Sequence, residues 1–187
     1  MIEFIRHDQT TAPDASKPLL AQSTAAYGRI PALHAVMADA PGMLEGYLAL
    51  HKLFMDSSFS DEEQTVVWQA VNVEHECHYC VPAHTAIAKA MKVDDAISDA
   101  LRNDSPLPNA RLEALRDFTL RMVRERGNVD QRAVQTFLDA GFTRRHVLEV
   151  ILGIAQKVMS NYTNHVAQTP VDEAFRPYEW HKAAAAV

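Results

Sequence analysis

The sequence predicts an all-α fold in a single domain, and three observations carry that expectation. Apolar residues recur at spacings of three and four through most of the chain, the period of a helix with one buried face. Strand-like alternation over more than a few residues is absent, and only six glycines occur in 187 residues. No low-complexity linker or fixed-period repeat divides the chain, and its length suits one domain with a sizeable core.

The elements follow in order. Residues 1–27 form a polar arm, read as outside the helical body. A short amphipathic helix is expected over 31–37, with Pro31 in its first turn. Pro41-Gly42 breaks the chain, and Met43, Leu44, Tyr47, Leu48, Leu50, Leu53 and Phe54 mark the apolar stripe of a second helix. Ser60-Asp61-Glu62-Glu63 fits a capping box opening a helix that buries Val66, Val67, Ala70, Val71 and Val73. Asp94 starts another short helix, closed by the proline-containing 106–108 linker. Leu112, Leu115, Phe118, Thr119, Met122 and Val123 make a long helix ended by Gly127. Asp130 caps a helix carrying Val134, Phe137 and Leu138, with Gly141 at its end. Thr143 begins the most apolar helix, with Val147, Leu148, Val150, Ile151, Ile154, Ala155, Val158 and Met159. It is apolar on more than one side, so it is expected at the centre of the domain or at a subunit contact. The tail, 169–187, contains proline, ends Ala-rich, and is expected loose or packed on a neighbour.

The net charge is −6 and the pI near 5.8, so no global field draws the protein to nucleic acid or an anionic membrane. No apolar run approaches the roughly 18 residues that span a bilayer, and residues 1–17 lack the pattern of a secretory signal. The expectation is a cytoplasmic protein, in a compartment where thiols stay reduced.

Both cysteines fall in the segment Glu74-His75-Glu76-Cys77-His78-Tyr79-Cys80-Val81-Pro82-Ala83-His84. A disulfide over so short a loop stabilises little, so the pair is better explained by reactivity. Pro82 is tolerated in a helix's first turn but not in its interior, so a helix should begin near Cys80 or Val81. Cys80 then meets the partial positive charge of a helix N-terminus, which favours thiolate. His84 lies one turn on along the same face, placed to hydrogen-bond that sulfur and act as general base and acid. Cys77 precedes the helix in an irregular turn, able to swing over. The mechanism that follows has Cys80 attack a hydroperoxide to give a sulfenic acid, with Cys77 condensing to a disulfide that an external dithiol reduces.

These residues carry other readings as well. The cysteines can be simple core residues. Cys77, Cys80 and His84 can also furnish three zinc ligands, with His75, His78 or Glu76 as a fourth. Sequence-adjacent ligands crowd one another and no second knuckle exists, so no metal and no cofactor is expected. Tyr79 reads as packing, and His34, His51 and His146 as surface or packing residues. Asn161, Asn164 and His165 form a polar cluster that can line a pocket, make a subunit contact or cap the helix.

The Cys-x-x-Cys-x-x-x-His segment with Ala83-His84-Thr85 resembles the core motif of the alkylhydroperoxidase AhpD family, within the carboxymuconolactone decarboxylase superfamily. Weaker likeness extends to Ser60-Asp61-Glu62-Glu63-Gln64, Arg111-Leu112-Glu113-Ala114-Leu115-Arg116, Ala140-Gly141-Phe142-Thr143 and Asn161-Tyr162-Thr163-Asn164-His165. The resemblance implies an AhpD-like helical domain over 28–168, a trimer or hexamer, and a peroxidase or disulfide reductase. It implies Cys80 as peroxide-reacting thiol, Cys77 as resolving thiol, His84 in a proton relay, and a lipoyl-bearing or other dithiol reductant. The sequence departs from the family where it has Thr65 at the position of a relay glutamate and Tyr79 in place of a histidine. Glu74 can supply the missing carboxylate, with Glu63 a more distant candidate. An oligomeric binding or scaffold protein that has lost turnover is the reading an incomplete relay favours. A lactone decarboxylase is a further alternative, weakened because those enzymes generally lack the cysteine pair.

Overall fold

The structure, a computed structural model, describes residues 3–182. The described residues hold nine α-helices and no strand: α1 (Lys17–Tyr27), α2 (Ala32–Met37), α3 (Pro41–Met55), α4 (Asp61–Glu74), α5 (Cys80–Ala90), α6 (Asp95–Arg102), α7 (Ala110–Arg124), α8 (Gln131–Asp139) and α9 (Arg144–Ala167). The all-α expectation holds. Among the described residues no helix is long and apolar enough to cross a membrane.

Local chemistry sets most of the boundaries. Ser60 and Glu63 form the expected capping box: the Glu63 amide donates to Ser60 Oγ (3.3 Å) and the Ser60 amide to Glu63 Oε2 (3.0 Å). Asp94 accepts from the Ala96 amide and Asp130 from that of Ala133. The chain leaves α7 through Arg126 and Gly127, both at positive φ, with the Gly127 amide returning to the Met122 carbonyl.

Helix α4 is the spine. It packs against α5, α6, α7 and α9, and every residue from Glu63 to Val73 is buried. On one side the aromatic core stacks Phe118 on Phe137 and Phe137 on Phe142, with ring centroids 4.2 and 4.4 Å apart. Arg111 caps the stack, its guanidinium 3.8 Å from the Phe142 centroid while pairing with Glu63 at 2.9 Å. On the other side a smaller core gathers Leu20, Leu33, Met37, Leu44, Tyr47, Cys77, Tyr79 and Cys80.

Three expectations change. Residues 17–27, inside the stretch read as a polar arm, form α1, which carries Pro18 in its first turn and ends at Gly28 with φ 69°. Leu20 is fully buried against α2 and α3 residues, so this segment belongs to the body. The tail packs on its own chain: a 3-10 turn, Glu173–Tyr178, lies against α5, and Trp180 donates to the Arg102 carbonyl at 2.8 Å. The Ala-rich end of the tail lies outside the described residues.

The third change is that α9 does not lie wholly at the centre of the domain, the first of the two places expected for it. Its apolar residues do not all turn inward: Leu148 is 67% and Val166 68% exposed, and Ile151 and Tyr162 are also exposed. The buried side instead carries Gln156, Lys157, Ser160, Asn161 and Asn164, all at 0% exposure. The helix is thus apolar outside and polar inside over its second half. It can sit close because Gly153 faces α3 and α4: a Cβ there would lie 2.7 Å from Phe54 Cε2 and 2.8 Å from Val67 Cγ1. Gly153→Ala should therefore lower stability by about 1–3 kcal/mol, the usual range for an overpacked core. Denaturant unfolding checks this, since a helix propensity gain alone would raise the midpoint.

Candidate thiol site

The end of α4 aims the first sulfur. Its C-cap is His75, followed by Glu76 at φ 52°, with the Glu76 amide bonded to the Val73 carbonyl and the Cys77 amide to that of Asn72 (2.9 Å). That is a Schellman closure with glutamate where glycine is usual, and it drops Cys77 into the interior. Three residues later α5 begins at Cys80, as the position of Pro82 requires. The Cys80 amide, free at the helix N-terminus, donates to Cys77 Sγ at 3.3 Å. Both cysteines are free thiols and buried.

A ladder of buried amides fixes this corner against α9. His75 Nδ1 lies 2.9 Å from Asn161 Oδ1, Asn161 donates to Asn72 Oδ1 (3.0 Å), and Asn72 to Gln69 Oε1 (3.0 Å). Gln69 in turn donates to the Val81 carbonyl at 3.1 Å. The chain of bonds ties α4, α5 and α9 together beside the sulfurs, where rigid polar contacts cost least if every member is satisfied.

Asn164 Nδ2 sits 3.2 Å from Cys80 Sγ. Burial pushes the Cys80 thiol up, but the Cys77 thiol, the Lys157 ammonium, and the Ser160 and Asn161 side chains together hold it well below the ordinary range. Cys77 moves the opposite way, raised by its hydrogen bond to Cys80, by burial and by the charge on Cys80. These surroundings favour ionisation at Cys80 over Cys77.

His84 does not reach the sulfur in the way the sequence suggests. Its Nε2 accepts from Lys157 Nζ at 2.6 Å, and its Nδ1 has no partner among the described residues. Burial, then Lys157, then His51 hold the imidazole neutral. Glu74 is placed away from the site: both its oxygens are engaged by Arg124, at 2.8 and 2.7 Å. That pairing keeps its carboxyl below the usual range. The other sequence candidate, Glu63, pairs with Arg111, and Thr65 is buried on α4. No group of three His, Cys, Asp or Glu among the described residues is arranged to hold a metal.

Cys80, His84 and Lys157 open onto one cavity of about 150 Å³, walled by Tyr27, His34, Tyr47, His51, Tyr79 and Phe175 among others. His34 and His51, read from sequence as surface or packing residues, are pushed down to about 4, in each case chiefly by burial. Tyr79 is held by its hydroxyl, which donates to Asp172 of the tail. A wider groove of about 570 Å³ between α7 and α8 brings no sulfur or histidine to its charged lining.

No protein-family model matches the sequence, and no curated protein matches it. Solved structures do match in shape. An uncharacterized peroxidase-related protein from Ralstonia eutropha JMP134, described as an alkylhydroperoxidase AhpD core, superposes with TM-score 0.81 at 20% identity, covering 94% of this chain and 96% of that one. The fold is that of the AhpD core. An uncharacterized peroxidase-related protein from Silicibacter sp. TM1040 gives 0.76 at 20% identity, over 93% and 92% of the two chains. The debrominase Bmp8, as a cysteine-to-alanine variant in complex with 2,3,4-tribromopyrrole, gives 0.76 at 15% identity, over 95% of each.

Within this AhpD-like frame, sequence reasoning missed Lys157. The signal available was a lone lysine inside the most apolar helix, and it reads equally well as a solvated side chain. The cluster containing Asn161 and Asn164 was flagged as a possible pocket lining, and those two side chains are at the site. In a Cys77→Ser variant, the ultraviolet absorbance of the Cys80 thiolate should persist at neutral pH and disappear only in acid. Asn164→Leu should move that titration upward by about one pKa unit, because a hydrogen bond to a charged group contributes about 1.5–3 kcal/mol.

Proposed function

We propose that the protein is a thiol-dependent peroxidase or disulfide reductase of the AhpD type, in which Cys80 attacks and Cys77 resolves. The observation that carries this reading is the geometry of the buried pair, with the Cys80 amide donating to Cys77 Sγ at 3.3 Å, Asn164 Nδ2 3.2 Å from Cys80 Sγ, and Cys80 lining the cavity beside His84 and Lys157. The Cys80 thiolate attacks the terminal oxygen of a hydroperoxide, forming an S–O bond as the O–O bond breaks. The Cys77 thiol then displaces water from the sulfenic acid to close the disulfide. An external dithiol, a lipoyl group among them, returns both sulfurs to the reduced state by exchange. Catalytic roles are assigned to Cys77, Cys80 and, through the proton it shares with Lys157, His84. The pairing of Glu74 with Arg124 leaves it outside the reaction. A cytoplasmic setting, rich in reduced thiols, suits this cycle.

Consumption of cumene hydroperoxide with dithiothreitol tests the reading. Cys80→Ser should abolish it, and Cys77→Ser, mixed with peroxide before any dithiol is added, should consume one equivalent and stop without closing a disulfide. After peroxide, the peptide spanning 77–80 should lose the mass of two hydrogens. Equal rates in wild type and Cys80→Ser would remove the enzyme reading and favour a binding protein.

The ring-lined walls of the cavity favour a second substrate class, flat halogenated aromatics, since the same two thiols supply two electrons. One structure similar in fold is a debrominase holding a tribromopyrrole. Bromide release from 2,3,4-tribromopyrrole, with no peroxide consumption, would select that reading.

We further propose a homo-oligomer joined through the exposed apolar stripe of α9, where Leu148, Ile151 and Tyr162 line up on one face. Light scattering after size exclusion should give more than one subunit mass for the wild type. Ile151→Glu should shift it toward the monomer without changing helix content.

A further inference from the structure

Lys157 is, among the described residues, a fully buried cation, and its surroundings are unusual. At 0% exposure it forms no ion pair with a carboxylate among the described residues. The acidic residues of α4 beyond its first two positions, Glu63 and Glu74, are taken by Arg111 and Arg124. The titratable and charged groups around it are Tyr47 and His51 from α3, His84 and Cys80 from α5, Cys77 and Tyr79 just before α5, and, lining the same cavity, His34 from α2, Tyr27 from α1 and Arg29. Burial keeps both Tyr27 and Tyr79 protonated. The imidazoles are neutral and Tyr47 is held protonated, chiefly by burial. The anion available to balance Lys157 is therefore the thiolate of the cysteine pair.

This has a chemical consequence. An ammonium buried without a counter-charge costs several kcal/mol, so Lys157 keeps its proton only while that thiolate exists. Oxidation to the disulfide deletes the anion. The lysine must then release a proton, and it is positioned to do so into the cavity where the oxygen leaving group forms. His84, 2.6 Å away, accepts from it and holds the amine in place.

We propose that Lys157 is the proton carrier of the dithiol, charged when Cys80 is a thiolate and neutral when the disulfide is closed. This rests on the thiol reading above and adds the proton path. Cys80 thiolate and ROOH give the sulfenic acid and RO⁻; the Lys157 ammonium protonates RO⁻ to ROH and becomes an amine. The Cys77 thiol and the sulfenic acid give the disulfide and water. A reducing dithiol R′(SH)₂ then returns Cys77 to thiol and Cys80 to thiolate, leaving as a cyclic disulfide. Its second proton reloads Lys157. The lysine takes the place of a carboxylate relay, which neither Thr65 nor Glu74 supplies.

The test uses the whole protein equilibrated with dithiothreitol, with no peroxide present. If Lys157 captures the second proton, no net proton is released, and the exchange equilibrium stays flat from about pH 6 to about pH 8 while Cys80 absorbs as thiolate. In Lys157→Arg the cation cannot lose its proton, so one proton is released and the equilibrium constant should rise about tenfold per pH unit. His84→Gln should remain flat. A tenfold rise per pH unit in the wild type, with thiolate present, overturns the inference whether or not the arginine variant folds. So does a rise in His84→Gln, which would place the proton on the imidazole. A Cys80 that is protonated at neutral pH overturns this inference and the parent reading together. Loss of peroxidase activity with a flat wild-type equilibrium would overturn only the choice of substrate.

Discussion

The site depends on one electrostatic compensation, between a sulfur and an ammonium that are each too buried to be charged alone. Burial raises the Cys80 thiol and lowers Lys157, so separately each would be neutral. Lining one cavity, in a medium that screens little, each favours the charge of the other. The consequence is a sulfur whose ionisation is favoured where it lines the cavity, with Glu74 and Glu63 engaged elsewhere by Arg124 and Arg111.

That arrangement explains the construction of α9. A helix in a globular domain ordinarily buries its apolar stripe, whereas here the second half buries an amide, an ammonium, a hydroxyl and two asparagines. Burying such groups is unfavourable unless they are hydrogen-bonded. Asn161 is satisfied by the ladder from His75 through Asn72 to Gln69, which also locks the start of α5. Lys157 is satisfied by His84, Ser160 by α9 carbonyls and Asn164 Nδ2 by Cys80 Sγ, while both side-chain polar atoms of Gln156 are without a partner among the described residues. The same polar contacts position the sulfur. The apolar residues displaced from that side are left on the outer face, where a second subunit can cover them.

Much of the frame was legible along the chain because its causes are local. The Ser60 capping box, the Asp94 and Asp130 caps, the Gly127 exit and the start of α5 two residues before Pro82 are set by contacts within a turn or two. So is the adjacency of the two sulfurs. The arm and tail were misjudged because their partners are distant. Leu20 is held by α2 and α3, and the segment ending in Trp180 by α5, α6 and the carbonyl of Arg102. Glu74 was a reasonable candidate by spacing alone. The turn at Glu76 separates it from the sulfurs and leaves it facing Arg124, fifty positions along the chain.

The amino-acid order by itself determined the helical class, most helix starts and stops, and the presence of a vicinal thiol pair at a helix N-terminus. These follow from hydrogen bonds and dihedral limits among near neighbours. Only the tertiary structure decided which side of α9 is buried, and therefore that Lys157, not Glu74, stands by the thiol. Periodicity measures how apolar positions repeat, not which of two apolar faces meets the core. A charge balance between residues far apart in the chain comes into being only when burial removes the water that would otherwise serve both.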